Sequence, residues 1–252
     1  MSEQKATFWD HLDVLRWTIL RSLVAVVVFA VAAFCMKDWL FMVVLAPTSS
    51  DFITFRLMHT PPFQLHLINT GLTEQLMTHM RTAAYAGLLC ASPYVLYQLF
   101  GFVSPGLYQN ERRAAFRIVG AAYVMFLVGT LVCYFIIFPI TVRFLGTYQV
   151  STDVTNMLTL QSYTDTLVSM CLVIGLVFEL PVVSFILGRM HLLSGQLMRH
   201  YRRHAIVAIL VVAAIITPTT DIFTLVLVSL PIWLLYEVSI FIVPKQRHDT
   251  AI

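Results

Sequence analysis

Glu111 stands directly before Arg112 and Arg113 in the stretch SPGLYQNERRAAFRIVG, residues 104–120, between two long apolar runs. A carboxylate in such a place can hold a guanidinium group as a bidentate, charge-assisted fork, a stronger contact than a neutral hydrogen bond. On charge pattern alone, the same acid can equally neutralise its two arginine neighbours or cap the helix that follows. Glu179, in VFELPV (177–182), falls in the middle of an apolar run. A charged carboxylate facing lipid costs several kcal/mol, so Glu179 is expected to be protonated, paired or turned toward a wet cavity. Its functional reading is a polar spot on a substrate surface or a proton path. Its bland reading is a neutral acid bonded to a backbone carbonyl freed by Pro181. Glu237 lies nearer the end of its run and suits snorkelling or helix pairing. Gln98, in YVLYQLFGF, is an uncharged amide that can bond a neighbouring helix.

Other chemistry is poorly supplied. His200 and His204 in RHYRRH (199–204) are one helical turn apart, but nothing adds a third ligand, so a solvated basic helix end is the favoured reading. Cys35, Cys90, Cys133 and Cys171 all sit inside apolar runs without a CxxC pair and read as packing residues. There is no HExxH, no GxSxG and no pair of intramembrane aspartates from which to assemble a nucleophile and its base. No enzyme, cofactor or metal site is expected.

The elements that position these residues follow from composition. Of 252 residues 59% are hydrophobic and 12% charged, which excludes an ordinary soluble domain and points to an all-α integral membrane protein. Six spans are expected, at about 17–36, 78–102, 114–138, 166–188, 205–216 and 222–243, in a single membrane domain over 1–252. The fifth and sixth are expected to be short and unequal, the fifth apolar run reaching only about 18 Å against a hydrocarbon core of ~30 Å. The second, starting near Thr73–Glu74, would run about 45 Å and project at one end. The polar, acidic N-terminus carries no short cleavable signal, so the first span is expected to be retained.

Orientation is set by Lys and Arg. With the N-terminus inside, the inner segments hold Lys5, Arg16, Arg21, Arg112, Arg113, Arg117, Arg189, Arg199, Arg202, Arg203, Lys245 and Arg247, leaving Lys37, Arg56, Arg81 and Arg143 outside. Twelve against four places both termini in the cytoplasm and makes 104–117 a cytoplasmic loop. Arg143 then reads as an interfacial anchor. The outer loop of about 37–72, with Pro47 and TPPF (60–63), is expected to be an irregular, folded cap. No internal repeat is visible.

Pro93, Pro181 and Pro231 interrupt three spans and should free the carbonyls of Leu89, Val177 and Leu227. Such carbonyls need new partners in lipid, so a bent, concave bundle is expected. FWDHLDVLRWTILR (8–21) reads as an amphipathic helix entering the first span, with Asp10 and Asp13 toward the cytosol beside Arg16. Asp221, in the tight turn ITPTTDIF (216–223), is placed to cap the sixth span, with a functional role equally open.

FWDHLDVLR, APTS, SPYVLYQLFGFVSPGLYQNERR, FPITVRF, FELPV and ITPTTD occur in this order across nearly the whole chain. Together they resemble the TatC family, the multispanning core of the twin-arginine protein translocase. The resemblance implies a receptor in the bacterial inner membrane that binds twin-arginine signal peptides of folded cargo. It also implies assembly with single-span TatA- and TatB-type subunits, self-association being compatible with it, and dependence on the proton-motive force. By the same resemblance Glu111 contacts the signal peptide's arginines, with Phe102 and Pro105 beside the receptor loop. Pro47, Thr217, Pro218 and Asp221 match positions on the extracytoplasmic side and its turn. Two departures stand out. The family's H-L-x-E-L-R motif has Val14 here at its glutamate, so Asp10 or Asp13 is expected to supply the charge; Leu225 stands where the family often has Gln and bears on partner choice. The competing class is an ion-coupled carrier using Glu179.

Overall fold

The computed structural model describes residues 8–59, 61, 63, 65, 67–103, 112–148, 157–190, 192–217 and 221–243, with backbone alone at 8–11, 100, 102–103 and 112–116. It is almost wholly helical. The helices are α1 (Phe8–Cys35), α2 (Lys37–Leu45), α3 (Ile53–Leu57), α4 (Glu74–Val103), α5 (Arg112–Val132), α6 (Phe138–Thr147), α7 (Leu160–Val177), α8 (Leu180–Arg189), α9 (Gly195–His200), α10 (Arg202–Ile216) and α11 (Ile222–Ile242). Two-residue strands β1 (Leu67–Ile68) and β2 (Leu158–Thr159) pair in parallel. Among the described residues, four stretches are long and apolar enough to cross a bilayer: Leu12–Cys35, Arg117–Thr147, Leu160–Arg189 and Ile222–Ile242. α4 has the length, about 45 Å for its 30 residues, but Glu74, Arg81, Pro93 and Gln98 make it more polar. α10 has 15 residues, about 22 Å, and remains short of the core. α11 has 21 residues, about 31 Å, so of the two spans expected to be short only the fifth is.

The chain divides into two compact units, one running to Leu40 and from His79 to Tyr123, the other from Phe41 to Thr78 and from Val124 onward. In the first, α1 meets α4 where Gly87 lies against the backbone of Ala30. One turn or so from that crossing the Phe34 and His79 rings stack at 4.1 Å. Thr18 is buried, whereas Val24, Val28 and Val31 are more than half exposed. In water that would be an aggregation hazard; in lipid no hydrophobic force gathers such side chains, and close packing of small residues holds helices together instead. Pro93 leaves α4 unbroken, and the carbonyl it frees, that of Leu89, accepts a hydrogen bond from Ser92 Oγ at 2.7 Å.

In the second unit the third span is not one continuous α-helix. A π-turn over Cys133–Ile137 joins α5 to α6 just ahead of Pro139. Pro139 has no amide hydrogen for the carbonyl of Phe135, and that carbonyl accepts from Thr54 Oγ1 of α3 instead. Much of the 37–72 segment is not irregular: α2, a 3₁₀ turn at Ala46–Thr48 and α3 occupy it. Tyr134 Oη donates to the carbonyl of Val43 (2.6 Å) and Tyr163 Oη to that of Val44 (2.8 Å), while Pro47 is buried. Phe52 packs edge-on to Tyr134 and stacks on Phe135. Arg143 lies 5.7 Å from the centre of the Phe63 ring, a cation–π contact that anchors α6 to the same segment. All four cysteines are free thiols, and Cys133 and Cys171 are buried.

Glu74 ties this segment to α7. Its Oε2 accepts from the amides of Thr70 and Gly71, both at 2.8 Å, and from Thr70 Oγ1 at 3.0 Å. Its Oε1 accepts from the amide of Gln161 at 3.2 Å. The amides of Gly71 and Thr70 hold the carboxyl below its ordinary value of 4.5. A depressed value in the folded state means that the bonds stabilise above the unfolded-state pKa and are lost as pH falls through the folded-state one. Exchange at the Thr70, Gly71 and Gln161 amides, corrected for the intrinsic rate, should therefore rise in acid, below the ordinary carboxylate range. Glu74→Gln, with one acceptor oxygen in place of two, should show fast exchange at pH 7 with no such acid step. Equal protection of the variant and the parent at pH 7 would show that the carboxylate does not hold the segment.

Candidate functional site

The fourth span breaks at its acid. α7 ends at Val177 and α8 begins at Leu180, with Pro181 in its first turn, so Glu179 occupies the junction. The amides of Phe178 and Glu179 bond back to Ile174 and Leu176, each at 3.0 Å, the tightened turn that a proline imposes when it cannot continue the ladder. Gly129 of α5 faces Phe178 so closely that an added Cβ would stand 2.7 Å from that ring's Cγ. Gly175 likewise abuts Phe126 and Thr130. The junction is therefore packed tightly on α5. Both carboxylate oxygens of Glu179 are buried without a hydrogen-bond partner among the described residues, so the bond of the bland reading, to a carbonyl freed by Pro181, is not formed. An unmatched acid within an apolar span is costly.

Glu237 is the contrasting case. Its Oε2 lies 2.5 Å from Arg202 Nη2, joining α11 to the start of α10. Tyr236 Oη donates to the carbonyl of Met198 at 2.8 Å, and Met198 packs with Ile240 and Val243. Helix pairing is what this acid does. Gln98 also has a local partner: its amide nitrogen donates to Tyr94 Oη at 2.7 Å, one turn back on α4 and not across to another helix. Asp221 caps α11, its Oδ2 accepting from the Thr224 amide at 2.7 Å. Thr217 is buried and closes α10, its hydroxyl donating to the carbonyl of Ala213 at 3.0 Å. His200 and His204 pack against Tyr201 from either side in sequence, and no group of three or more metal-binding side chains occurs among the described residues.

Of the residues expected at the peptide-binding face, Asp10 lies on the first turn of α1 and Phe102 on the last turn of α4, both as backbone. Asp13, Val14 and Arg16 are exposed on α1, and Asp13 and Arg16 make no ion pair with each other. Pro105, Glu111 and Pro218 lie outside the described residues. Sequence reasoning missed Glu74, whose signal was an acid at the first position of a helix just after Thr-Gly, and it missed the π-turn, signalled by Pro139.

A polytopic helical membrane protein with a buried acid inside one of its apolar spans is the class that this fold and site define. Comparison with known proteins makes this specific. Residues 10–231 match the family described as Sec-independent protein translocase protein (TatC). Sec-independent protein translocase proteins TatC from Carboxydothermus hydrogenoformans and Desulforapulum autotrophicum are 31% and 34% identical, over 96% and 94% of this chain and 94% and 84% of those proteins. A crystal structure of the twin arginine translocase receptor TatC in DDM superposes with a TM-score of 0.79 at 29% identity, covering 93% of this chain and 99% of that one. A second crystal structure of that receptor gives 0.77 at 30% identity over 92% and 97%. The chain belongs to the TatC family and is a component of the Sec-independent protein translocase. These relatives are translocase proteins; none of them supports a solute carrier.

Proposed function

We propose that this chain is the signal-peptide receptor of its translocase, crossing the inner membrane six times with both termini in the cytoplasm. The observation that carries the reading is the likeness to a solved twin arginine translocase receptor over 93% of the chain. Glu111, with Asp10 or Asp13 in place of the glutamate absent at Val14, binds the paired arginines of the peptide. Arg16, Phe102 and Pro105 flank that face. Single-span Tat subunits assemble around the spans, with Pro47, Thr217, Pro218 and Asp221 at the far side and Glu179 within the membrane. No bond is made or broken; the proton-motive force drives transport. A twin-arginine peptide should photo-crosslink to probes at Asp10, Asp13 and Glu111, and lysines in place of its arginines should abolish the adducts. Adducts that survive the lysine exchange, or that form at none of these three positions, would refute the assignment.

A further inference from the structure

One face of α11 borders a groove of about 750 Å³ whose whole lining is hydrocarbon. The π-turn presents Ile136 and Ile137 to it, Phe178 closes one wall, and Val226, Leu230 and Leu234 form the floor along α11. From Ile222 to Val238 the groove follows the helix for roughly 24 Å. A trough of that length with an apolar lining suits the acyl chain of a lipid, which carries no polar group to be left unmatched along it.

A cation lies about one turn of α11 beyond the last residue of the groove's lining, Val238. Leu227, Leu234 and Phe241 are spaced by seven residues and so share one stripe of α11. Over the Phe241 ring, 6.0 Å from its centre, lies the guanidinium carbon of Arg199 from α9. Arg199 is exposed and has no carboxylate partner among the described residues, whereas Arg202 nearby is already committed to Glu237. An apolar trough with an unspent guanidinium about one turn beyond it matches one molecule of the bilayer: a guanidinium pairs bidentately with a phosphate, and basic pockets beside membrane helices select anionic headgroups. We propose that this chain holds an anionic phospholipid, with an acyl chain along α11 against the π-turn and the phosphate on Arg199.

The test is native mass spectrometry of the full chain in mild detergent, with phosphatidylglycerol and phosphatidylcholine of identical acyl chains added in equal amounts. One phosphatidylglycerol should be retained about fivefold better than phosphatidylcholine, the effect of one basic side chain at an anionic group. Arg199→Gln should erase that preference and Arg199→Lys should keep most of it. Leu230→Trp, which fills the groove from an exposed position, should lower retention of both lipids; Val226→Trp repeats the test should Leu230→Trp not fold. The proposal is overturned if the parent shows no preference, if Arg199→Gln keeps it, or if folded groove-filling variants retain lipid as the parent does. It is also overturned if a photoprobe at Leu230 captures a single-span helix and no lipid.

Discussion

Gly87→Leu should prevent α1 and α4 from docking, and with it export and stable accumulation of the protein. A Cβ built on Gly87 stands 2.5 Å from the amide nitrogen of Ala30, 2.6 Å from its Cα and 2.7 Å from its Cβ. Contacts of that length with main-chain atoms cannot be relieved by a rotamer change, so the helices must separate. Separation removes the van der Waals contact that holds helices together in lipid, where no hydrophobic force compensates. Even Gly87→Ala is expected to lose overall. Alanine is favoured over glycine in a helix by about 1 kcal/mol, but overpacking a close contact costs about 1–3 kcal/mol, and here the obstruction is backbone. Gly120→Ala is the control, because nothing lies within 4 Å of a Cβ there; it should be neutral or slightly stabilising. Melting of the detergent-solubilised protein and export of a twin-arginine reporter read both. If Gly87→Leu melts within ~2 °C of the parent and exports normally, the α1–α4 crossing described above is wrong.

The same contact shows what a sequence can and cannot disclose about this fold. The helical character of the chain, the cap at Asp221 and the loss of the Leu89 carbonyl's usual partner were legible because each depends on composition or on residues within a turn or two of one another. Gly87 was not, because its reason for being glycine is Ala30, on a helix separated from it by the whole 37–72 segment. Glu74 was read only as a helix start for the same reason: its fourth hydrogen bond comes from Gln161. The π-turn at Cys133–Ile137 required knowing that Thr54 would be at hand for the Phe135 carbonyl. The broken fourth span is an intermediate case. Pro181 announced a distortion, but the close approach of Gly129 to Phe178 and of Gly175 to Phe126 depends on a neighbouring helix and was not announced. At the candidate site, the acidic residues could be picked out by type. Their assignment to a peptide's arginines rested on the family's motif order, since one acid before two arginines is as consistent with simple charge balance.

Loss of the acid at the proposed receptor face should impair peptide binding with no loss of folded protein. Glu111→Gln removes a charge-assisted, two-pronged acceptor for a guanidinium while keeping the side chain's size. Hydrogen bonds to charged groups contribute about 1.5–3 kcal/mol, so affinity for a twin-arginine peptide should fall on the order of 10–100-fold. Glu111→Arg should fall further, because the loop then meets the incoming guanidinium groups with Arg112 and Arg113 and no acid between them. Asp10→Asn and Asp13→Asn test the second half of the clasp. Asp10 is one turn before Val14 on α1, and Asp13 is about 100° round from Val14. If the missing glutamate is replaced from Asp10, its variant alone should match the loss seen with Glu111→Gln, while Asp13→Asn should leave binding within about twofold. Restoring the family's acid with Val14→Glu should then rescue Asp10→Asn, since Val14 is exposed and tolerates a polar side chain. Anisotropy of a labelled peptide, repeated at low and high salt, separates a local pairing from a general field: a paired carboxylate keeps most of its effect in salt, whereas a diffuse one is screened within about 10 Å at 0.1 M. Binding that is unchanged in the triple variant of Asp10, Asp13 and Glu111 would mean that the arginine pair is held by residues other than these acids.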